Sequence, residues 1–151
     1  MNKLNTKALV DETLKSVKLA VLATEQGGQP HTSLVAITPI EGCRQLIFAT
    51  YRNTLKYQNL KDNPKVAVFI NGMDTNESGV VLTAIGKAED VGLAEKAQYL
   101  HLHRERHPEL DDFLHSSDCV LICIKVKSYQ VVRGINDIIW WSIDEPNNVI
   151  Y

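Results

Sequence analysis

The stretch QLIFATYRNTLKYQNLKDNPKVAVFI, residues 45–70, decides the fold because it contains two strands and a helix in a fixed order. Residues 46–49 form a short apolar run, and residues 66–70 resume the β-branched and aromatic side chains typical of strands. The helical segment between them ends at Asn63-Pro64, because proline cannot continue a helix. The stretch therefore predicts a strand, a polar turn, a short helix and a second strand.

The polar turn in this stretch has the chemistry of an anion site. Arg52, Asn53, Thr54 and Lys56 bring two cations, a side-chain cap and a hydroxyl to the start of the predicted helix. Free backbone N–H groups and the positive end of the helix dipole favour an anion there. Each charge-assisted contact contributes about 1.5–3 kcal/mol. A phosphate group fits these donors, and a solvated turn with a capped helix is the alternative.

Around this stretch, the chain is predicted to be β-rich with helical inserts. Six strands are predicted, at residues 19–24, 31–38, 46–49, 66–70, 80–91 and 119–132. Gly86 lies inside the fifth strand and predicts a bend or a close backbone approach. Further helices are predicted at residues 6–17 and 92–106. Short strands joined mostly by tight turns favour an antiparallel barrel or sandwich.

Length and composition predict a single domain, residues 1–151, in the cytoplasm. Of its residues, 44% are hydrophobic and 23% are charged, and the formal net charge is −2. This charge gives no electrostatic footprint for nucleic acid or an acidic membrane. No apolar run reaches the ~18 residues of a membrane span, and the first residues are too polar for a signal peptide. The cysteines number three, and Cys119 and Cys123 in an apolar run are expected to be reduced core thiols.

Three segments together resemble one family of flavoproteins. They are Gly28-Gln29-Pro30 followed by HTSLVAIT, then LIFATYRNTLKYQNLKDNPKVAVF, then Ile85-Gly86-Lys87-Ala88-Glu89. In order and spacing they resemble the pyridoxamine phosphate oxidase-like family, especially its small general stress protein-like members. The resemblance covers residues 19–89, with a weaker match at 138–141. It implies a six-stranded antiparallel split β-barrel and a homodimer with FMN in the cleft between subunits.

The same resemblance assigns cofactor-binding roles to individual positions. Residues 33–38 would line the flavin ring, largely through main-chain groups, and Ala49 and Thr50 would lie near the ribityl chain. Thr54 and Lys56 match the family's phosphate-binding serine and lysine, with Arg52 and Asn53 as assistants. One of two adjacent tryptophans would approach the flavin. The full set of expected FMN-binding residues is Ser33, Leu34, Val35, Ala36, Ala49, Thr50, Arg52, Asn53, Thr54, Lys56 and Trp140 or Trp141.

Departures from the family pattern argue against a true pyridoxamine phosphate oxidase. That oxidase has an arginine and a lysine where this chain has Ser33 and Thr38, and the chain ends SIDEPNNVIY without the oxidase's arginine–histidine motif. The sequence therefore predicts an FMN-dependent oxidoreductase that acts on another small-molecule substrate or electron donor, with no catalytic side chain identified. A non-catalytic carrier or sensor of flavin or haem is the alternative, and a deazaflavin is a third possible ligand.

The third predicted helix carries three histidines. His103 and His107 have the i, i+4 spacing that can share a metal ion, and His101 lies beside them. No HExxH-like glutamate accompanies them, and ordinary helix residues surround them. The pattern favours a solvated helical face, and no metal site is predicted.

Overall fold

The computed structural model describes residues 3–73, 79–144 and 149–150, in which nine strands and four α-helices follow one another along the chain. The first half contains α1 (Lys3–Ser16), β1 (Leu19–Gln26), β2 (Gln29–Ala36), β3 (Thr38–Ile40), β4 (Gln45–Tyr51), α2 (Leu55–Asp62) and β5 (Lys65–Asn71). The second half contains β6 (Val81–Asp90), α3 (Leu93–Arg106), a 3₁₀ turn (Pro108–Leu110), α4 (Asp111–Leu114), β7 (Cys119–Gly134), β8 (Asp137–Ser142) and β9 (Val149–Ile150).

The sheet closes into a barrel through one bent strand. Its order is β2-β1-β5-β6-β7-β4-β3, and every strand pair is antiparallel. Only Ile37 separates β2 from β3, so the same stretch of chain pairs with β1 at one end of this order and with β4 at the other. The backbone N–H of Ile37 donates to the carbonyl of Lys18, 3.0 Å away. The predicted antiparallel barrel with helical inserts is confirmed.

The barrel splits along β7, whose two halves have different partners. Its first half pairs with β4 and its second half pairs with β8, while β6 pairs along both. The prediction of six strands differs from the nine described here because the chain divides at Ile37 and because β8 and β9 were not predicted. β9 pairs only with β8.

Gly86 marks an irregularity between β6 and β7, as predicted. The register of the two strands shifts between Ile85 and Gly86. A Cβ atom at Gly86 would overlap the carbonyl oxygen of Lys125 on the neighbouring strand. Only glycine permits this close approach, so the residue fixes the point at which β7 bends.

The barrel interior is apolar, and α1 packs against it. Leu22 of β1, Phe48 of β4 and Ile122 of β7 are fully buried in one core cluster, which also includes Val10 and Leu14 of α1. All three cysteines are free thiols; Cys123 is buried and Cys119 is half-buried, in agreement with the sequence-based expectation. Within the described segments, no helix is both long enough and apolar enough to cross a bilayer.

The outer face of the same sheet carries a transverse row of paired residues. Strand register places Leu34, Val21, Phe69, Thr83, Gln130 and Trp140 side by side, on β2, β1, β5, β6, β7 and β8 in turn. Leu34 is 68% exposed, Phe69 44% and Trp140 38%. Three large apolar side chains on one uncovered row cost hydration free energy, which makes this face a candidate protein interface.

Candidate functional site

A cavity of about 310 Å³ lies where β2 and β4 meet the start of α2. Seven sequence-predicted residues line it: Leu34, Val35, Ala36, Ala49, Thr50, Thr54 and Lys56. Its other lining residues are Leu19, Tyr51, His103, Leu110 and Phe113. The rings of Tyr51 and Phe113 meet edge to face, with centroids 4.7 Å apart, and form an apolar wall. The structure thus brings the two predicted cofactor segments together around one concavity.

The polar corner of the cavity is the turn that begins α2. Thr54 is the N-cap, and its hydroxyl oxygen accepts the backbone N–H of Tyr57 at 3.3 Å. The same hydroxyl lies 2.8 Å from that of Thr50 and donates to the carbonyl of Tyr51 at 2.9 Å. These contacts fix two hydroxyl groups beside the first turn of the helix, where the remaining backbone N–H groups lack intrahelical acceptors.

Lys56 is the one cationic side chain that lines the cavity among the described residues. It is half-buried, and desolvation lowers the pKa of its ammonium group. No carboxylate lies within ion-pair distance of it in the described part of the chain. A partly desolvated cation without a counter-ion is unfavourable by itself and favours the binding of an anion.

Three other predicted residues lie away from this corner. The guanidinium of Arg52 is exposed and donates to the carbonyl of Ser117 at 2.8 Å, so it ties the turn to the segment before β7. Asn53 is exposed and does not line the cavity. Strand alternation puts Ser33 on the opposite face of β2 from Leu34. The role of Arg52 and Asn53 as assistants at a phosphate stays a prediction.

The two tryptophans have separate environments, and neither lines the cavity. Trp141 is 3% exposed and stacks on Tyr129 in the barrel core, with ring centroids 6.2 Å apart. Trp140 lies on the outer face, five strand spacings from Leu34, which is roughly 24 Å along the sheet.

The end of α3 supplies a wall of the cavity that the sequence interpretation missed. His103, Arg106 and His107 contact Ile37 and Thr38 at the bend between β2 and β3, and we call these three residues the α3 clamp. His107 Nε2 lies 2.7 Å from the Ile37 carbonyl, which also accepts from Arg106 Nε at 3.1 Å. Both histidines are fully buried, so the predicted solvated face is wrong for them, although His101 is exposed.

His103 joins the clamp to the cavity. Its Nδ1 lies 2.7 Å from the hydroxyl oxygen of Thr38, while its Nε2 is buried without a hydrogen-bond partner among the described groups. Burial, together with the nearby His107 and Arg106, lowers the pKa of His103 to about 4. Burial also lowers the pKa of His107. Both imidazoles are therefore neutral at pH 7.

A signal for this burial was present in the sequence. Tyr99 and Leu100 pack against the small cluster of Ile40, Ile47 and Leu121. Leu100, His103 and His107 follow the i, i+3, i+7 spacing of a buried helical stripe, and Tyr99 lies four residues before His103. The sequence interpretation counted the histidines as polar, which concealed the stripe.

A larger cavity, about 660 Å³, lies elsewhere on the sheet and contains none of the predicted cofactor residues. Its lining includes four lysines, all of them exposed: Lys65, Lys87, Lys125 and Lys127. Lys125 already pairs with Glu89 at 2.8 Å. The smaller cavity is the better candidate site because it combines a half-buried, unpaired cation with a buried, unpartnered ring nitrogen.

Comparison with known proteins identifies the family. A family profile described as pyridoxamine 5′-phosphate oxidase matches residues 6–132, most of the chain. The chain belongs to this family. No curated protein sequence matches it significantly. The three solved structures that follow are less than 25% identical to it, and their likeness concerns the split-barrel fold alone.

One similar structure is a protein related to general stress protein 26 from Clostridium acetobutylicum, described as pyridoxinephosphate oxidase family, with 16% identity and a TM-score of 0.76. The alignment covers 97% of this chain and 99% of that one. A second is a haem-binding protein from Mycobacterium smegmatis, with 19% identity, a TM-score of 0.79 and coverage of 90% and 57%, so this chain spans little more than half its length. A third is HutZ, a haem storage protein from Vibrio cholerae, with 20% identity, a TM-score of 0.65 and coverage of 79% and 88%.

Proposed function

We propose that this protein binds FMN in the 310 Å³ cavity, with the FMN phosphate at the 52–56 turn, and acts as an FMN-dependent oxidoreductase in the cytoplasm. The observation that carries the proposal is Lys56, a half-buried cation without a counter-ion beside a capped helix start. A phosphate monoester supplies the missing charge and accepts hydrogen bonds from the first turn of α2.

The residues around Lys56 fit the other parts of the cofactor. The Thr50 hydroxyl is placed in the lining beside the ribityl chain, while the Thr54 hydroxyl, which donates to the Tyr51 carbonyl, holds the turn at the phosphate. The backbone of β2 at Leu34–Ala36 and of β4 at Ala49 offers edge groups for a flat ring, and Tyr51 and Phe113 exclude water. FMN supplies the hydride or electron transfer, and the protein supplies binding, orientation and access. No side chain in the cavity is assigned as a general acid or base.

The substrate of this oxidoreductase is expected to carry less negative charge than pyridoxamine phosphate. Thr38, at a position where that oxidase has a cation, is buried and holds His103. Lys56 is committed to the FMN phosphate, and no other cationic side chain lines the described cavity. A second phosphate beside the flavin would stay unpaired, at a cost of several kcal/mol.

The proposed active form is a homodimer joined through the outer face of the sheet. The exposed row from Leu34 to Trp140 supports this arrangement, because one end of the row lines the cavity and the other carries Trp140. Light scattering should give twice the chain mass of 16.9 kDa. A monomer with FMN bound would contradict the dimer and leave the cofactor assignment intact.

A second candidate function is a non-catalytic carrier of flavin or haem. Two structures of similar fold are described as a haem-binding and a haem storage protein, and His103 presents a neutral imidazole at the cavity. Neutral imidazole nitrogen is a common haem ligand. Turnover of NAD(P)H by the FMN-loaded protein favours the oxidoreductase. A haem absorption band after titration with haemin, without FMN binding, favours the carrier.

Titration of the apo-protein with FMN tests the proposed site. Lys56→Ala should weaken FMN binding about tenfold or more, through loss of one charge-assisted contact. Lys61→Ala is the matched control: Lys61 lies on the same helix, is exposed and pairs with Asp90 at 3.6 Å, so affinity should not change. Equal affinity in the Lys56 variant would refute the phosphate assignment, and failure of the wild type to bind would refute FMN.

A further inference from the structure

His103 is the one lining residue of the described cavity that is fully buried and has an unpartnered polar side-chain atom. We propose that His103 donates a hydrogen bond from Nε2–H to an acceptor oxygen or nitrogen of bound FMN, and that Thr38 holds the imidazole in the tautomer this requires. The inference rests on the proposed function, because it names a specificity-determining contact within the same site.

The tautomer follows from counting protons in the contact between Thr38 and His103. The Thr38 hydroxyl is buried, and its contact with His103 Nδ1 is its only hydrogen bond among the described residues. If Thr38 donates, Nδ1 accepts and the ring proton lies on Nε2, so a single buried donor remains unsatisfied. If Nδ1 donates instead, the Thr38 hydroxyl proton and the Nε2 lone pair both lack partners. The first arrangement leaves fewer unsatisfied groups and is favoured.

The orientation of the His103 imidazole then determines where the Nε2–H group lies. The Nδ1 edge faces Thr38, which does not line the cavity, so the Nε2 edge faces away from that bend. The other face of the cavity is formed by β2, β4 and α2, where FMN is proposed to bind. The ring of His107 lies 4.8 Å from that of His103 and limits its rotation. The imidazole is thereby held in the wall with Nε2 on the side away from Thr38, buried at the lining and without a partner among the described groups.

This donor discriminates between ligand classes. The isoalloxazine carbonyls and ring nitrogens, the ribityl hydroxyls and the phosphate of FMN all accept hydrogen bonds. A haem iron needs a free ring-nitrogen lone pair, which a protonated Nε2 does not offer. The Thr38 contact therefore favours a flavin over a haem bound through His103.

Histidine nitrogen NMR on the whole protein tests the tautomer and the contact separately. In ¹⁵N-histidine-labelled protein at pH 7 without ligand, His103 should give the pattern of a neutral ring protonated at Nε2. Addition of FMN should move the Nε2–H proton resonance downfield as its hydrogen bond forms. His103→Gln identifies the resonance, and Thr38→Val should allow the tautomer protonated at Nδ1 to appear.

Affinity measurements complete the test. His103→Phe keeps a ring but removes the donor, and it should weaken FMN binding about tenfold. His103→Gln retains an N–H donor and should restore part of the affinity, while His101→Ala, exposed on the same helix, should bind like the wild type. If His103→Phe does not fold, the NMR measurement on the wild type decides.

Each outcome has a distinct meaning. FMN binding with an unmoved Nε2–H signal, or an unliganded ring protonated at Nδ1, overturns the role of His103 and leaves the proposed function standing. Failure of the wild type to bind FMN overturns the proposed function, and with it the contact.

Discussion

The cavity has two polar walls that differ in how their groups are satisfied. At the start of α2, Lys56 is a half-buried cation with no counter-ion in the described part of the chain, two residues after the N-cap Thr54. At the end of α3, the clamp combines two buried histidines with the partly buried Arg106, and its partners Ile37 and Thr38 lie 65 or more residues away. The α2 wall, with Lys56, favours the binding of an anion. The α3 wall, with the clamp, stabilises the bend between β2 and β3. His103 belongs to both descriptions, because its Nδ1 contacts Thr38 at the bend while its Nε2 has no partner among the described groups.

The largest effect should come from removing the cation of the clamp. Arg106 donates from Nη2 to the carbonyls of Leu14 and Val17 at the end of α1, at 2.7 and 3.1 Å, besides its contact with Ile37. Arg106→Met keeps the aliphatic stem and should reduce the free energy of unfolding by roughly 3–4 kcal/mol, since several charge-assisted hydrogen bonds are lost. Urea denaturation measures this change.

Arg104→Ala is the control for that prediction. Arg104 lies on the same helix, is exposed, and pairs with Asp111 at 3.1 Å. A surface pair of this kind contributes at most about 1 kcal/mol. Equal losses in the two variants would mean that Arg106 stabilises the fold no more than a surface ion pair does.

The second-largest loss of unfolding free energy should come from lowering the pH, which protonates the histidines of the clamp. The pKa of His103 is lowered from 6.5 to about 4, so the unfolded chain binds this proton more strongly than the folded one. Stability is therefore complete above pH 6.5 and falls as the pH drops toward 4, by roughly 3 kcal/mol for this residue. His107, whose pKa is also lowered, adds to the loss in the same direction.

Thermal denaturation of the wild type and of His103→Gln at several pH values checks this assignment. The variant should lose the His103 part of the pH dependence, while carboxylates elsewhere titrate equally in both proteins. Parallel curves for the two proteins between pH 6.5 and 4 would show that His103 is not the group responsible.

The smallest loss of unfolding free energy should come from a substitution in the α2 wall. Thr54→Ala removes the cap of α2 and should cost about 1 kcal/mol of unfolding free energy, because the N–H of Tyr57 loses its acceptor. Thr54→Ser keeps the hydroxyl and should remain within a few tenths of the wild type. A loss from Thr54→Ala as large as that from Arg106→Met would remove the distinction between the two walls.

The sequence predicted the α2 wall because its information is local. One short stretch contains both the capped helix start and Lys56, two residues later. In the same way, Gly86 within a strand pattern predicted that a neighbouring backbone comes close to it. The α3 wall depends on contacts between the ends of separate elements, such as Thr38 with His103. No local sequence pattern predicts that α3 contacts the bend between β2 and β3. The same reason explains Trp141: strand alternation allows either neighbouring tryptophan to face the core, and register with Tyr129 decides.

The bend at Ile37 also has a consequence for how the protein is made. Its carbonyl is held by Arg106 and His107, which are 69 and 70 residues further along the chain. Contacts of such high sequence separation are slow to form because the intervening loop must close first. During synthesis the β2 wall of the cavity thus lacks its anchor until α3 has emerged from the ribosome. Loading of the proposed FMN is consequently expected to follow synthesis of at least the first 107 residues, and nascent chains shorter than that should not retain it.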